Sequence, residues 1–355
     1  MFGLYRLWLA LMVMVNHLTS IPGIGHHAVH GFFILSGYLM THVMHRTYGY
    51  GPAGVGKFWL NRILRLYPVY WIVLLLSLAA VRGLGESHAF HYAHIYLPGT
   101  WKEIGENISM VYMNWIPGAA WPRLCPPTWS LTIELFFYLL ISLGLSRSKK
   151  LTRAWLFCSV LIAVISFFPG YDYRYYFILS GALPFALGAA LYHERAWLDA
   201  LRLKFLPKAT TTHFFIAMLI NSASVSVGHA IPALAWLHTA CFYLNLPLQT
   251  GLIFFLATKG HNLLTLAQDK AAGDFSYPVY LLHVQTGFVV SMLLFGKPVI
   301  GLSAAGILSC AITIIAVFAF SAVLIRFVDA PVQKLRDIVK RSIEPPNDRE
   351  YRKES

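Results

Sequence analysis

Val299–Phe327 reads VIGLSAAGILSCAITIIAVFAFSAVLIRF, and between Lys297 and Arg326 it carries no charged residue. A hydrocarbon core of about 30 Å takes about 20 apolar residues in a helix. This run is longer than that, so it reads as a membrane span. Working outward, comparable stretches recur over the whole chain. They are Leu4–Ser20, Val29–Met44, Pro68–Val81, Thr128–Leu145, Ala154–Phe168, Tyr176–Tyr192, His213–Val227, Leu234–Ala257 and Phe275–Phe295. Only 12% of the 355 residues are charged. Soluble domains carry about 25%, so these charges are too few to clothe a water-facing surface. The expected fold class is all-α: a polytopic transmembrane helix bundle of about ten spans, with both termini cytoplasmic.

The first and third stretches are short, which implies tilted, bent or shielded helices. Ile104–Trp115 is apolar but too short to span and reads as an interfacial or re-entrant piece. Leu4–Ser20 resembles a signal peptide in length. Its apolar run ends at Asn16 and His17 with no small-residue cleavage site following, so a retained helix is expected. Placing both termini inside puts 23 of the 28 Lys and Arg residues on the inner side and leaves Arg82, Lys102, Arg123, Arg174 and Lys297 outside. That bias obeys the positive-inside rule. The net charge of +13 then reflects topology and attraction to inner-leaflet lipid, with no nucleic-acid partner implied. Cys158, Cys241 and Cys310 fall within spans and Cys125 lies alone outside, so no disulfide is implied. The outer histidines His26, His27, His30, His88, His91 and His94 read as solvated or interfacial, because their loose spacing completes no metal shell. No internal repeat of the transporter kind is visible.

Ionisable groups inside a bilayer are costly and mark functional sites. His17 follows Arg6 by eleven residues, roughly 16 Å along a helix axis, which puts it in the outer half of the membrane. Glu134, six residues into a span entered from outside, lies at similar depth. A neutral imidazole and a carboxylate at one depth suit a base and its orienter, and equally a structural pair. Arg62 and Arg65 in FWLNRILRLYPVYW share a helix face at the inner boundary. They are either a phosphate grip or snorkelling anchors within an aromatic belt of Trp59, Tyr67, Tyr70 and Trp71. In FSYPVYLLH, Tyr277, Tyr280 and His283 share a face and either line a cavity or bond helices together. In GFFILSGYLM, Gly31, Ser36 and Gly37 permit close helix approach.

Taken together, these segments resemble the acyltransferase-3 family of integral membrane acyltransferases, in its stand-alone membrane form without an SGNH domain. The resemblance covers Gly3 to about Pro331. It rests on Arg6 and His17, on GFFILSGYLM, and on Arg62, Arg65 and Pro68. It also rests on Asn114, Trp115, Pro126 and Pro127 leading into TWSLTIELFFY, and on Ser276, Tyr277, Tyr280 and His283. The sequence departs from the family at Asn61, where an Arg is usual, at Asp329-Ala330-Pro331 in place of Glu-x-Pro, and at Pro278. The resemblance implies a membrane domain over residues 1–331 and a basic cytoplasmic tail over 332–355. It implies O-acylation, commonly acetylation, of a carbohydrate or other hydroxyl acceptor at or across a bacterial inner membrane. Acyl-CoA (acetyl-CoA) is the implied co-substrate, with no permanently bound cofactor and no metal. His17 is then base or acyl carrier, Glu134 its partner, and Arg62 and Arg65 the donor grip. Arg6, Ser276, Tyr277, Tyr280 and His283 are supporting or oxyanion candidates. An acylase of a small cytoplasmic molecule such as a macrolide, and a non-enzymatic transporter or flippase, are the competing readings.

Overall fold

A computed structural model describes residues 2–112, 123–206, 208–260 and 263–342. Asn114 and Trp115 lie outside the described residues, as does the chain from 343 onward. Among the described residues there is no β-strand. The helices are α1 (Gly3–Thr19), α2 (Ile24–Val43), α3 (Pro52–Leu84), α4 (Glu86–Ala93), α5 (Trp101–Ser109), α6 (Trp129–Ser142), α7 (Lys149–Ile165) and α8 (Tyr171–Tyr175). They continue with α9 (Ala182–His193), α10 (Arg195–Phe205), α11 (Thr211–Ala230), α12 (Trp236–Lys259), α13 (Leu266–Phe295), α14 (Ala304–Leu324) and α15 (Ala330–Arg341). Each apolar stretch of the sequence therefore contains a helix. By length and composition, four helical runs among the described residues suffice to cross a membrane: Pro52–Leu84, Pro232–Thr258, Leu266–Phe295 and Ala304–Arg341. Others are shorter. The 14 residues of α6 rise about 21 Å, less than a hydrocarbon core of about 30 Å.

One boundary differs from the sequence reading. The third stretch is not short: α3 has 33 residues and continues through Pro68. Its first half is polar enough to hide it from a hydropathy reading. The start of the basic segment after Pro331 is helical, since α15 continues to Arg341, and Arg336 within it is buried.

The chain forms two units. The first comprises Met1–Val29, Arg65–Thr132 and Leu263–Gln333. Its axis is α13, buried along most of its length, with α1 and α14 packed on it. A helix begins with N–H groups that lack intrahelical partners. At α1 they are met from α13: the backbone N–H groups of Gly3 and Leu4 donate to the Asp269 carboxylate at 3.0 and 2.9 Å.

The aromatic residues that read as a membrane belt have a second role here. Tyr67 donates to the Ser109 carbonyl at 2.6 Å, Trp71 to that of Ile108 at 2.9 Å, and Tyr70 to that of Asn107. The last carbonyls of α5 are orphans, and three side chains of α3 satisfy them in succession. Each such bond contributes about 0.5–1.5 kcal/mol net. At its other end α5 carries a capping box between Thr100 and Glu103. The Gly99 N–H, with that of Thr100, holds the Glu103 carboxyl below the usual carboxylate range.

The second unit comprises His30–Leu64, Ile133–Asn262 and Lys334–Ser355. Here α7 and α12 pack on α9, and α11 and α12 form a helical hairpin. Helix α2 crosses α9 at glycines on both sides. A Cβ on Gly37 would lie 2.2 Å from the Phe185 carbonyl oxygen, and one on Gly188 would lie 2.0 Å from that of Ile34. Gly56, in α3, is the opposite case: it is exposed and a Cβ there meets nothing within 4 Å. Glycine inside a helix costs about 0.5–1 kcal/mol relative to alanine. Gly56→Ala is therefore expected to raise the unfolding temperature in detergent with turnover unchanged; a lower temperature would count against the α3 described here.

Candidate functional site

In the first unit α1 carries His17 and α13 carries His283, with ring centroids 5.2 Å apart. His283 is fully buried. Its Nδ1 lies 2.8 Å from the Tyr280 carbonyl oxygen and 3.3 Å from that of Val279. A carbonyl accepts only, so Nδ1 carries the proton and donates. This fixes the tautomer and leaves Nε2 a lone pair turned away from its own helix, buried and without a hydrogen-bond partner. His17 is exposed, while its neighbours Leu18 and Thr19 are buried. Tyr280 adjoins His283 with centroids 6.1 Å apart. The Tyr280 hydroxyl meets Ser130 Oγ at 2.6 Å and donates to the Pro127 carbonyl at 3.1 Å. The imidazole pair thus sits beside a network of hydroxyl groups.

The remaining residues singled out on α13 serve its own structure. Ser276 donates back to the Gly273 carbonyl at 2.7 Å, and Tyr277 donates to that of Leu66 at 2.8 Å. Arg6 is not next to the imidazoles. It lies against Gly273 at the other end of α1, about 16 Å along the axis from His17. There Asp274 feels the charges of Arg65, Asp329, Lys270 and Arg6 together. Arg65 binds Asp329 at 3.0 Å. Asp329 closes a π-helical turn, Ile325–Asp329, a geometry that concentrates at functional positions.

In the second unit the Glu134 carboxylate accepts from the Ser36 hydroxyl at 2.5 Å and from the Tyr138 hydroxyl, both on Oε1. Tyr138 is one turn on along α6. Ser36 comes from GFFILSGYLM, where the sequence showed only a packing surface. Arg62 donates to Asn61 Oδ1 at 3.2 Å and to Met40 Sδ at 3.7 Å, and its guanidinium lies 5.8 Å from the Phe58 ring. Among the described residues it has no carboxylate partner, and its Nε is buried without a hydrogen bond. Asn61, fully buried, also accepts from Arg336 Nε at 3.3 Å and donates to the Arg336 carbonyl at 3.2 Å. The residue that departs from the family pattern therefore joins two arginines.

The sequence treated Arg62 and Arg65 as one grip. The structure separates them, because Arg65 is already neutralised by Asp329 and Arg62 is not. The outer histidines also divide. His88, His91 and His94 are exposed, but His27 and His30 are buried. His30 sets its ring edge-on to Phe242 at 4.7 Å and Tyr175 at 5.9 Å. Aromatic neighbours distant in sequence pack on His30, and with both rings buried the solvated reading fails for those two. Asp269, Asp274, Ser130 and Tyr138 were all missed, and Asp329 was noted only as a departure from Glu-x-Pro. Of the four missed residues only Tyr138 carried a local signal, its four-residue spacing from Glu134.

Apolar helices with ionisable side chains gathered inside each unit define an integral membrane protein with a chemically equipped interior. The acyltransferase-3 family model, an acyltransferase domain, matches residues 3–326, and the chain belongs to that family of membrane acyltransferases. No curated protein and no solved structure matches it.

Proposed function

We propose that this protein is a membrane O-acyltransferase that moves an acyl group, most simply acetyl, from acyl-CoA to a hydroxyl of a carbohydrate or related acceptor. The observation that carries the reading is His17: an exposed imidazole beside a second, buried imidazole of fixed tautomer. His17 takes the proton of the acceptor hydroxyl, and the freed oxygen attacks the thioester carbonyl. The tetrahedral intermediate then expels the thiolate, which recovers the proton from the His17 imidazolium. The products are an ester and coenzyme A. The His283 Nε2 lone pair favours the imidazolium while it exists. Glu134, held by two hydroxyl donors within its own unit, is proposed as a further catalytic group. The basic-rich side faces the cytoplasm in this reading, in a bacterial inner membrane, with the helices as about ten spans.

Arg62 is the cation assigned to the donor's phosphates, since no carboxylate among the described residues competes for it. Arg62→Lys keeps the charge and loses the planar fork. Losing one charged hydrogen bond weakens binding by roughly 10- to 150-fold, so KM for acyl-CoA is expected to rise within that range. Arg65→Lys retains an ion pair with Asp329 and is expected to change KM far less. Equal, small effects from both would make the arginines membrane anchors. The activity itself is tested with purified protein, radiolabelled acetyl-CoA and a panel of glycans. Label in the glycan supports the reading. Movement of an unmodified solute or lipid without label transfer would favour a transporter and overturn it.

A further inference from the structure

A cavity of about 570 Å³ opens in the second unit among the end of α9, helix α10 and the end of α12. Its polar lining is Tyr192, His193, Arg195, Asp199, Arg202 and Thr258. None of these residues enters the acyl-transfer chemistry. The charges around it are accounted for as follows. Arg202 and Asp199 neutralise one another at 2.9 Å. Glu194, beside the opening of α10, is held by Lys149 at 2.9 Å and Arg153 at 2.6 Å. Burial pushes its carboxyl upward, but the bonds from Arg153 and Lys149 outweigh this and hold it below the usual range. Arg195 remains. It donates to the Ala257 carbonyl at 3.3 Å, has no carboxylate partner among the described residues, and its charge reaches Tyr38 and His42.

Helix α10 starts at the same place, and its N-terminus has no side-chain cap. Backbone N–H groups and the positive end of a helix dipole favour an anion. A guanidinium without a carboxylate partner and a helix start thus converge on one space; the other polar groups are committed, since His193 Nε2 donates to the Ser146 carbonyl at 2.9 Å and Thr258 to that of Phe254 at 2.8 Å. The volume lies within the range of small-molecule sites, about 300–1,000 Å³, and exceeds what a bare phosphate needs. The opposite face of α10 is apolar and bare. Trp197, Leu201 and Phe205 recur at four-residue spacing, all exposed, and no residue of the helix is buried. A helix with such a stripe beside basic residues belongs at a membrane surface.

We propose that this cavity binds a phosphate group borne on a larger ligand, a lipid headgroup or a soluble nucleotide, with Arg195 as its principal cation. The site stands apart from acyl transfer, and its test does not use that activity. Native mass spectrometry of the full chain in nonionic detergent counts retained phosphatidylglycerol, and titration with ATP gives the affinity for a nucleotide. Arg195→Gln is expected to weaken one of the two by about tenfold or more. Lys208→Gln, outside the cavity lining, is expected to change neither by more than about twofold. Arg195→Lys keeps the charge and should fold, with intermediate affinity; it serves if Arg195→Gln does not fold. Selective loss of phosphatidylglycerol identifies the lipid source, and loss of ATP the soluble one. Wild-type binding of neither probe overturns the proposal, as does equal loss in Arg195→Gln and Lys208→Gln.

Discussion

His17→Gln is expected to reduce turnover by about 100- to 10,000-fold, the range for removal of a general base, while the protein still inserts, folds and binds acyl-CoA. The structural argument makes this variant informative. His17 is exposed, so an amide of similar reach fits there without crowding the buried Leu18 and Thr19. A purely structural imidazole would therefore lose little on this exchange. Glutamine forms hydrogen bonds but does not carry a proton at neutral pH, so only proton transfer is removed. His283→Gln should be less damaging to chemistry, because its Nδ1–H serves the Tyr280 carbonyl and its part in catalysis is exercised through His17. Glu134→Gln is expected to lower turnover as well. The measurement is turnover at matched amounts of folded protein. A His17→Gln enzyme within a few-fold of wild type would end the proposed mechanism.

The all-helical architecture was readable because apolar runs announce themselves through composition alone. The interior chemistry was readable in part, for a related reason: an ionisable residue in an apolar run stands out, as His17, Glu134 and His283 do. What the sequence concealed was partnership. Arg62 and Arg65 look equivalent at three-residue spacing, yet one meets Asp329, separated from it by 264 residues, and the other meets Asn61 and Met40. No local pattern encodes that difference. Tyr67, Tyr70 and Trp71 were read as part of an aromatic belt from their position near a helix boundary. Their polar atoms also find the carbonyl groups of α5, whose C-terminal end needed three donors. Ser36 was assigned to packing because it stands next to Gly37. Both assignments describe the same place, since the glycine sets how closely α2 approaches α9 and the serine one position earlier reaches Glu134.

That juxtaposition leads to the second large effect: Gly188→Leu is expected to abolish most of the folded, monodisperse protein. Helices in a bilayer gain little from hydrophobic burial against each other, since lipid is equally apolar, so close packing of small residues holds them together. At this crossing the obstacle to a side chain is backbone. The Cβ of residue 188 would lie 2.0 Å from the Ile34 carbonyl oxygen and 2.6 Å from the Tyr38 backbone nitrogen. A flexible side chain can swing away, but a carbonyl inside a helix moves only with its helix. Separating α2 from α9 by more than an ångström also withdraws Gly37 from the Phe185 carbonyl, so the loss spreads along the seam. Overpacking typically costs about 1–3 kcal/mol and occasionally more; a backbone obstacle on both helices puts this variant at or beyond the upper end. Gly37→Ala, a smaller insult, should leave folded protein with a lowered unfolding temperature. It should also lower turnover, because the displaced α2 carries the Ser36 hydroxyl away from Glu134. Thermal unfolding and size-exclusion profiles in detergent provide the measurement, with Gly56→Ala as the control in open space. A Gly188→Leu protein with the wild-type unfolding temperature and turnover would show that α2 and α9 do not cross at these glycines.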